Sequence, residues 1–231
     1  MPFDIKLIDV CMIIPAVIPI SRHHLEVTLD LFASFSDTCQ VDVVDGVFDD
    51  SVSWPFNIKE SLIETLKTVR FDELAVELDL MVQNPEETLD VWLSTKPTRI
   101  IVHVESTHKL DEIIKHASTR GYQLGLAFSN DTDLALLQEI DIAGVDVVQL
   151  MGIAEIGEQG NPFDERVLER IKIVKDMFPN LPVSIDGGVS LDSITRLKKA
   201  GADRFVSGSA ILKSPEPSRA YKDLCRLAGC S

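Results

Sequence analysis

Short runs of β-branched and apolar residues recur along this chain, and between them lie segments of helical periodicity. This alternation limits the fold more than any other feature. Strands are expected at Cys11–Val17, Gln40–Val44, Leu74–Leu80, Arg99–His103, Gln123–Ala127, Val145–Leu150, Pro182–Asp186 and Arg204–Ser207. The intervening segments place Leu25, Leu29 and Phe32 on one helical face, and Leu62, Leu66 and Val69 on another. Leu168, Ile171, Ile173 and Val174 suit a third, then Ile194, Leu197 and Ala200 a fourth. Strand then helix, repeated eight times, is the pattern of a parallel sheet closed into a (β/α)8 barrel of the TIM type. A length of 231 residues suits one such domain spanning 1–231.

The punctuation agrees with that alternation. Asn84-Pro85-Glu86-Glu87 reads as an N-cap, a proline at the first helical position and two acids at the positive end of the dipole. Gly121 and Gly201 read as helix C-terminal glycines. Met151 to Phe163, after strand six, is expected to be the only long inter-strand stretch without an early helix, and loops of that length are often lids or binding loops.

Charge and composition exclude several function classes. A formal net charge of −15 argues against a nucleic-acid partner, whose backbone needs a basic footprint. The apolar run Val10–Ile20 contains Pro15 and Pro19 and has neither the flanks of a signal peptide nor the roughly 20 residues of a membrane span. A soluble, cytoplasmic protein is expected. The four cysteines (Cys11, Cys39, Cys225 and Cys230) show no Cys-x-x-Cys pair or neighbouring histidine and read as free thiols of a reducing compartment. Of the five histidines, His103 falls on strand four, where a hydrogen-bonded core residue and a ligand are both open readings. His23, His24, His108 and His116 read as solvent-facing. Asp45-Gly46 reads as a turn.

Chemistry concentrates after the last two strands. Ser184-Ile185-Asp186-Gly187-Gly188-Val189 and Phe205-Val206-Ser207-Gly208-Ser209-Ala210 put glycines immediately past a strand, where backbone N–H groups can approach an anion closely. The loops after strands seven and eight form a recurrent phosphate site in barrels of this kind. With so negative a chain, such an anion must be held by local N–H groups and not by the overall field.

From Ile13-Ile14-Pro15-Ala16-Val17 to Gly208-Ser209-Ala210-Ile211 the chain resembles the ribulose-phosphate 3-epimerase family. The matching pieces are Val41-Asp42-Val43-Val44-Asp45-Gly46, Leu80-Met81 with Asn84-Pro85-Glu86, and Val102-His103-Val104-Glu105. They continue with Gly125-Leu126-Ala127, Val148-Gln149-Leu150-Met151, Ile185-Asp186-Gly187-Gly188 and Gly201-Ala202-Asp203. The resemblance implies 3-epimerisation of a ketopentose phosphate through an enediolate. Asp42 and Asp186 stand at the positions of the acid/base pair. It also implies that Gly187, Gly188, Gly208 and Ser209 bind phosphate, that the retained Met81 and Met151 bind the substrate, and that the protein self-associates.

The chain departs from the family where a divalent ion would bind. Two histidines and the two aspartates hold that ion in the family, but Gln40 and Asp79 stand at the histidine positions here. Ala16 replaces a serine and Val44 a methionine. The glycine-rich lid after strand six becomes Gly152-Ile153-Ala154-Glu155-Ile156-Gly157-Glu158-Gln159-Gly160-Asn161-Pro162-Phe163, with Gly157 and Gln159 left to serve the phosphate. Gln40, Asp42, Asp79 and Asp186 make an all-oxygen set that suits Mg²⁺ or Mn²⁺ better than Zn²⁺. Without a cation, at least one of three converging carboxyls must keep its proton. Two other readings stay open. One is Mg²⁺-dependent decarboxylation or aldol chemistry, although Glu77-Leu78-Asp79 lacks the lysine that related barrels carry on strand three. The other is a phosphate-binding barrel without catalysis.

Overall fold

The computed structural model describes residues 12–71, 74–154, 157 and 160–230. Eight parallel strands pair in sequence order and close, β8 returning to β1. The strands are β1 (Met12–Val17), β2 (Thr38–Val44), β3 (Ala75–Met81), β4 (Arg99–His103), β5 (Gln123–Phe128), β6 (Val147–Met151), β7 (Val183–Asp186) and β8 (Arg204–Ser207). All eight expected strands are present, with ends moved by no more than two residues where both ends are described.

Strand residues point alternately into the barrel and out to the helices. The outward set (Ile13, Val41, Val43, Leu78, Leu80, Ile100, Val102, Leu124, Leu126, Val148, Leu150, Ile185 and Phe205) packs into one continuous apolar layer. The inward set is small and polar by comparison: Ile14, Ala16 and Val206 form only a minor apolar cluster. At Gly125 an added Cβ would stand 2.9 Å from both Ile101 and Val147, so the strand requires glycine where its neighbours' side chains fill the lumen. The floor of the barrel is ionic. Glu77 is gripped by both Arg99 and Arg204, and Arg99 reaches on to Gln123 at 2.6 Å.

The outer ring is less regular than the sequence suggests. The helices α1 (Arg22–Ala33), α4 (Leu110–Arg120), α5 (Arg166–Met177) and α8 (Pro217–Ala228) are full-length. By contrast α2 (Leu62–Leu66), α3 (Leu89–Leu93), α6 (Ile194–Ala200) and α7 (Ser209–Leu212) are short. Between β5 and β6 only two 3-10 turns replace the expected helix, Leu134–Gln138 and Ile142–Gly144, their starts capped by the Asp133 and Asp141 side chains. Gly144 lies so close to Ile114 of α4 that a Cβ would meet its side chain at 2.6 Å, so the second turn packs directly on that helix.

Other expectations are corrected. On α5 the buried face is Val167, Ile171 and Val174, while Ile173 is exposed. Asn84 supplies no side-chain cap: it takes the left-handed conformation at φ 50° and leads into a 3-10 turn. The stretch after β6 is not alone in lacking an early helix, because Asp45–Ser61 runs equally unsupported from β2 to α2. Gly121 and Gly201 do end their helices, both in the left-handed region. Cys39 and Cys225 are free thiols, but Cys230 is disulfide-bonded, contrary to the free thiol expected there. Cys11 lies outside the described residues. Among the described residues no helix is long and apolar enough to cross a membrane.

Candidate active site

A cavity of about 220 Å³ opens at the C-terminal ends of the strands. Asp42 and Asp186 line its inner end, and Met81 and Met151 stand beside them. Gly187, Gly188, Gly208 and Ser209 line the same cavity, together with Gly157, Gly160 and Phe163. Both sets of residues expected from the sequence therefore face one space. Gln159 lies outside the described residues. No lysine, arginine or histidine is among the described residues that line the cavity.

Local backbone geometry explains the glycines. Gly187 and Gly188 sit at φ +86° and +66°, a conformation L side chains rarely adopt. A Cβ at Gly187 would also strike Ile153 at 2.6 Å, and one at Gly188 the Gly152 carbonyl at 2.9 Å. The turn after β7 is thus pressed against the start of the β6 loop. A hydrogen bond from Gly152 N–H to the Asp186 carbonyl (2.7 Å) fastens the two. Farther out, Gly157 abuts Asp49 of the β2 loop, and Lys213 brings its Nζ to 3.2 Å from where a Gly160 Cβ would be.

Beneath the cavity lies an acidic centre. Register sets Asp42 opposite Asp79 on adjacent strands, and carboxylate oxygens of Asp42, Asp79 and Asp186 all fall within 4.8 Å of one another. Asp79 is fully buried. The Gln40 amide donates to Asp42 Oδ1 (2.8 Å) and Asp186 Oδ2 (2.6 Å). The Gln149 amide donates to Asp79 Oδ2 (2.8 Å) and Asp186 Oδ2 (3.2 Å). His103 Nε2 lies 3.1 Å from Asp79 Oδ1, which makes the histidine a hydrogen-bonded core residue. Its ring also packs against Phe48, centroids 5.3 Å apart. Asp45, by contrast, caps its own turn by accepting from the Val47 and Phe48 N–H groups.

The electrostatics follow from this crowding. Burial first, then the charges of Asp186 and Asp79, push the Asp42 carboxyl well above the usual range, against the Gln40 hydrogen bond. Burial and then Asp79 raise Asp186 to about 7, opposed by the Gln40 hydrogen bond and His103. Burial alone would lower His103, yet Asp79 outweighs it and the imidazole is raised. A cation would relieve all three acids. The donor set fits a hard one, since three carboxylate oxygens lie within 4.8 Å of one another and the Gln40 Oε1 is buried with no hydrogen-bond partner.

A family model described as the ribulose-phosphate 3 epimerase family matches residues 12–212 of this chain. The chain belongs to that family. The ribulose-phosphate 3-epimerase of Schizosaccharomyces pombe is 28% identical over 190 residues, covering 82% of this chain and 81% of that protein. That of Chlamydia trachomatis is 30% identical over 182 residues, covering 76% and 75%. Among solved structures, the 3-keto-L-gulonate-6-phosphate decarboxylase of Vibrio cholerae O1 is similar with a TM-score of 0.70 at 12% identity, covering 96% of this chain and 98% of that one. A 3-hexulose-6-phosphate synthase is similar at 0.65 and 21%, covering 94% and 98%. At these identities the structural likenesses speak for the fold alone.

Gln149 escaped the sequence reading as a site residue. The signal was present: it is a polar residue inside the apolar run Val147–Leu150, two positions before Met151 and so on the same face.

Proposed function

We propose that this family member epimerises a ketopentose phosphate at C3, with Asp42 and Asp186 as the acid/base pair. The observation that carries the reading is that both carboxyls face the cavity whose other wall is made by Gly187, Gly188, Gly208 and Ser209. The phosphoryl group takes the N–H groups of the two glycine turns, with Gly157 and Gln159 as further phosphate-binding residues. Met81 and Met151 flank the sugar. One aspartate removes the C3 proton, leaving an enediolate. The aspartate on the other face, holding a proton, delivers it to the same carbon with inverted configuration. Asp186, poised near 7, can act in either role at neutral pH.

The cation we assign to Gln40, Asp42, Asp79 and Asp186 is Mg²⁺ or Mn²⁺ in preference to Zn²⁺, because every donor is oxygen. When bound, such an ion supplies charge stabilisation to developing oxyanions. The decarboxylase or aldolase reading loses support from the floor of the barrel: Glu77 is held by Arg99 and Arg204, away from the cavity.

Ribulose 5-phosphate incubated with the protein in D₂O is expected to gain deuterium at C3, followed by NMR. Asp186→Asn is expected to lower that exchange by about 10²–10⁴-fold. Thermal stabilisation by the sugar phosphate with no exchange in the unmodified protein would instead identify a binding barrel.

A further inference from the structure

Resting on the cation reading above, we infer that Gln149 is a positioning residue that holds Asp79 and Asp186 as a pair of cation ligands. Asp79 is the deepest of the three acids, fully buried and absent from the cavity wall, whereas Asp186 stands on that wall. Nothing in the chain order brings them together: one comes from β3 and the other from β7, on distant staves of the barrel. Gln149, fully buried on β6, donates from one nitrogen to Asp79 Oδ2 at 2.8 Å and to Asp186 Oδ2 at 3.2 Å. Both N–H bonds of the amide are thereby spent on the two carboxylates.

The consequence is orientational. Two like-charged carboxylates separate unless a donor or a cation holds them. A neutral amide with two hydrogens holds them without adding charge, and each carboxylate keeps lone pairs for an ion. His103 fixes the other oxygen of Asp79, so this aspartate is clamped on both sides. Gln40 performs the matching task between Asp42 and Asp186. Asp186 is thus held from two strands, and among the described residues Gln149 is the side chain that hydrogen-bonds both it and the buried acid. Partners of this kind around ligating carboxylates typically contribute 10–100-fold to metal affinity.

The test is Mn²⁺ binding, followed by electron paramagnetic resonance of the free ion, for the unmodified chain and for Gln149→Leu, which keeps volume and removes both donors. The variant is expected to bind Mn²⁺ about 10–100-fold more weakly. Equal affinity in the two proteins overturns the role of Gln149 and leaves the cation reading standing. No binding by the unmodified chain overturns both. A second measurement uses the unmodified protein, so that a variant that fails to fold does not decide the matter. The Gln149 side-chain amide, ¹⁵N-labelled, should give two inequivalent protons whose signals move on Mg²⁺ saturation. Signals that stay in place overturn the proposal.

Discussion

The two ends of the barrel interior treat buried charge in opposite ways. At the floor, one carboxylate, Glu77, meets two guanidinium groups, and although burial alone would raise it, Arg204 and Arg99 hold it below the usual glutamate range. At the mouth, three carboxylates meet two neutral amides and one imidazole, and Asp42 and Asp186 are both driven upward. The lesson is physical. A buried acid whose partners match its charge serves the fold, while acids left short of positive charge remain available to a cation or a proton. The same architecture, one turn of side chains apart, supports both uses.

The largest expected effect breaks this comparison from below. Arg204→Met leaves Glu77 with a single cationic partner in a buried site and is expected to cost about 3–5 kcal/mol in urea unfolding. At the mouth the sign reverses. Asp42→Asn replaces one of three crowded acids with a neutral amide, so the cation-free variant should be more stable at pH 8, with a Tm higher by roughly 2–4 °C for each kcal/mol gained. If both substitutions destabilise alike, the contrast between the two ends is wrong.

The smallest effect sharpens the comparison through pH. Asp186 is raised from 3.8 to about 7, so between those values the folded protein holds a proton that the unfolded chain has released. Stability therefore falls as pH rises through that window. His103, raised above 6.5, acts in the same direction, its contribution present at low pH and lost as pH climbs through the folded value. Glu77 is the reverse, contributing above its ordinary 4.5 and losing that contribution as acid titrates its lowered folded value. The Tm of cation-free protein is thus expected to decline gently from pH 5 to pH 8, and saturating Mg²⁺ should flatten the slope. A Tm that climbs over that interval would show that the mouth is not short of positive charge.

Much of the site is legible in the sequence. The glycines after β7 stand out because their positions demand positive φ and close approach, and such demands restrict residue type locally. Gln40, Asp42, Asp79 and Asp186 were singled out through the family resemblance, at the positions of the family's acid/base and ion-binding residues. Less could be said of His103, for which the sequence favoured the core reading without deciding it, and its ring lies hydrogen-bonded to Asp79. Gln149 showed the weakest signal, a single amide in an apolar strand. The helical ring was overestimated between β5 and β6, where two short 3-10 turns capped by Asp133 and Asp141 stand in place of a helix.

What the sequence by itself determined is the alternation of strand and helix, and hence a closed parallel sheet, because side-chain period is a local property of the chain. It also fixed which residue types stand at the strand ends. Only the tertiary structure decided who partners whom across the lumen: Gln149 with Asp79 and Asp186, His103 with Asp79, Arg99 and Arg204 with Glu77. Those partnerships depend on how far each strand is displaced along its neighbours when the sheet closes, and that stagger is a property of the whole barrel.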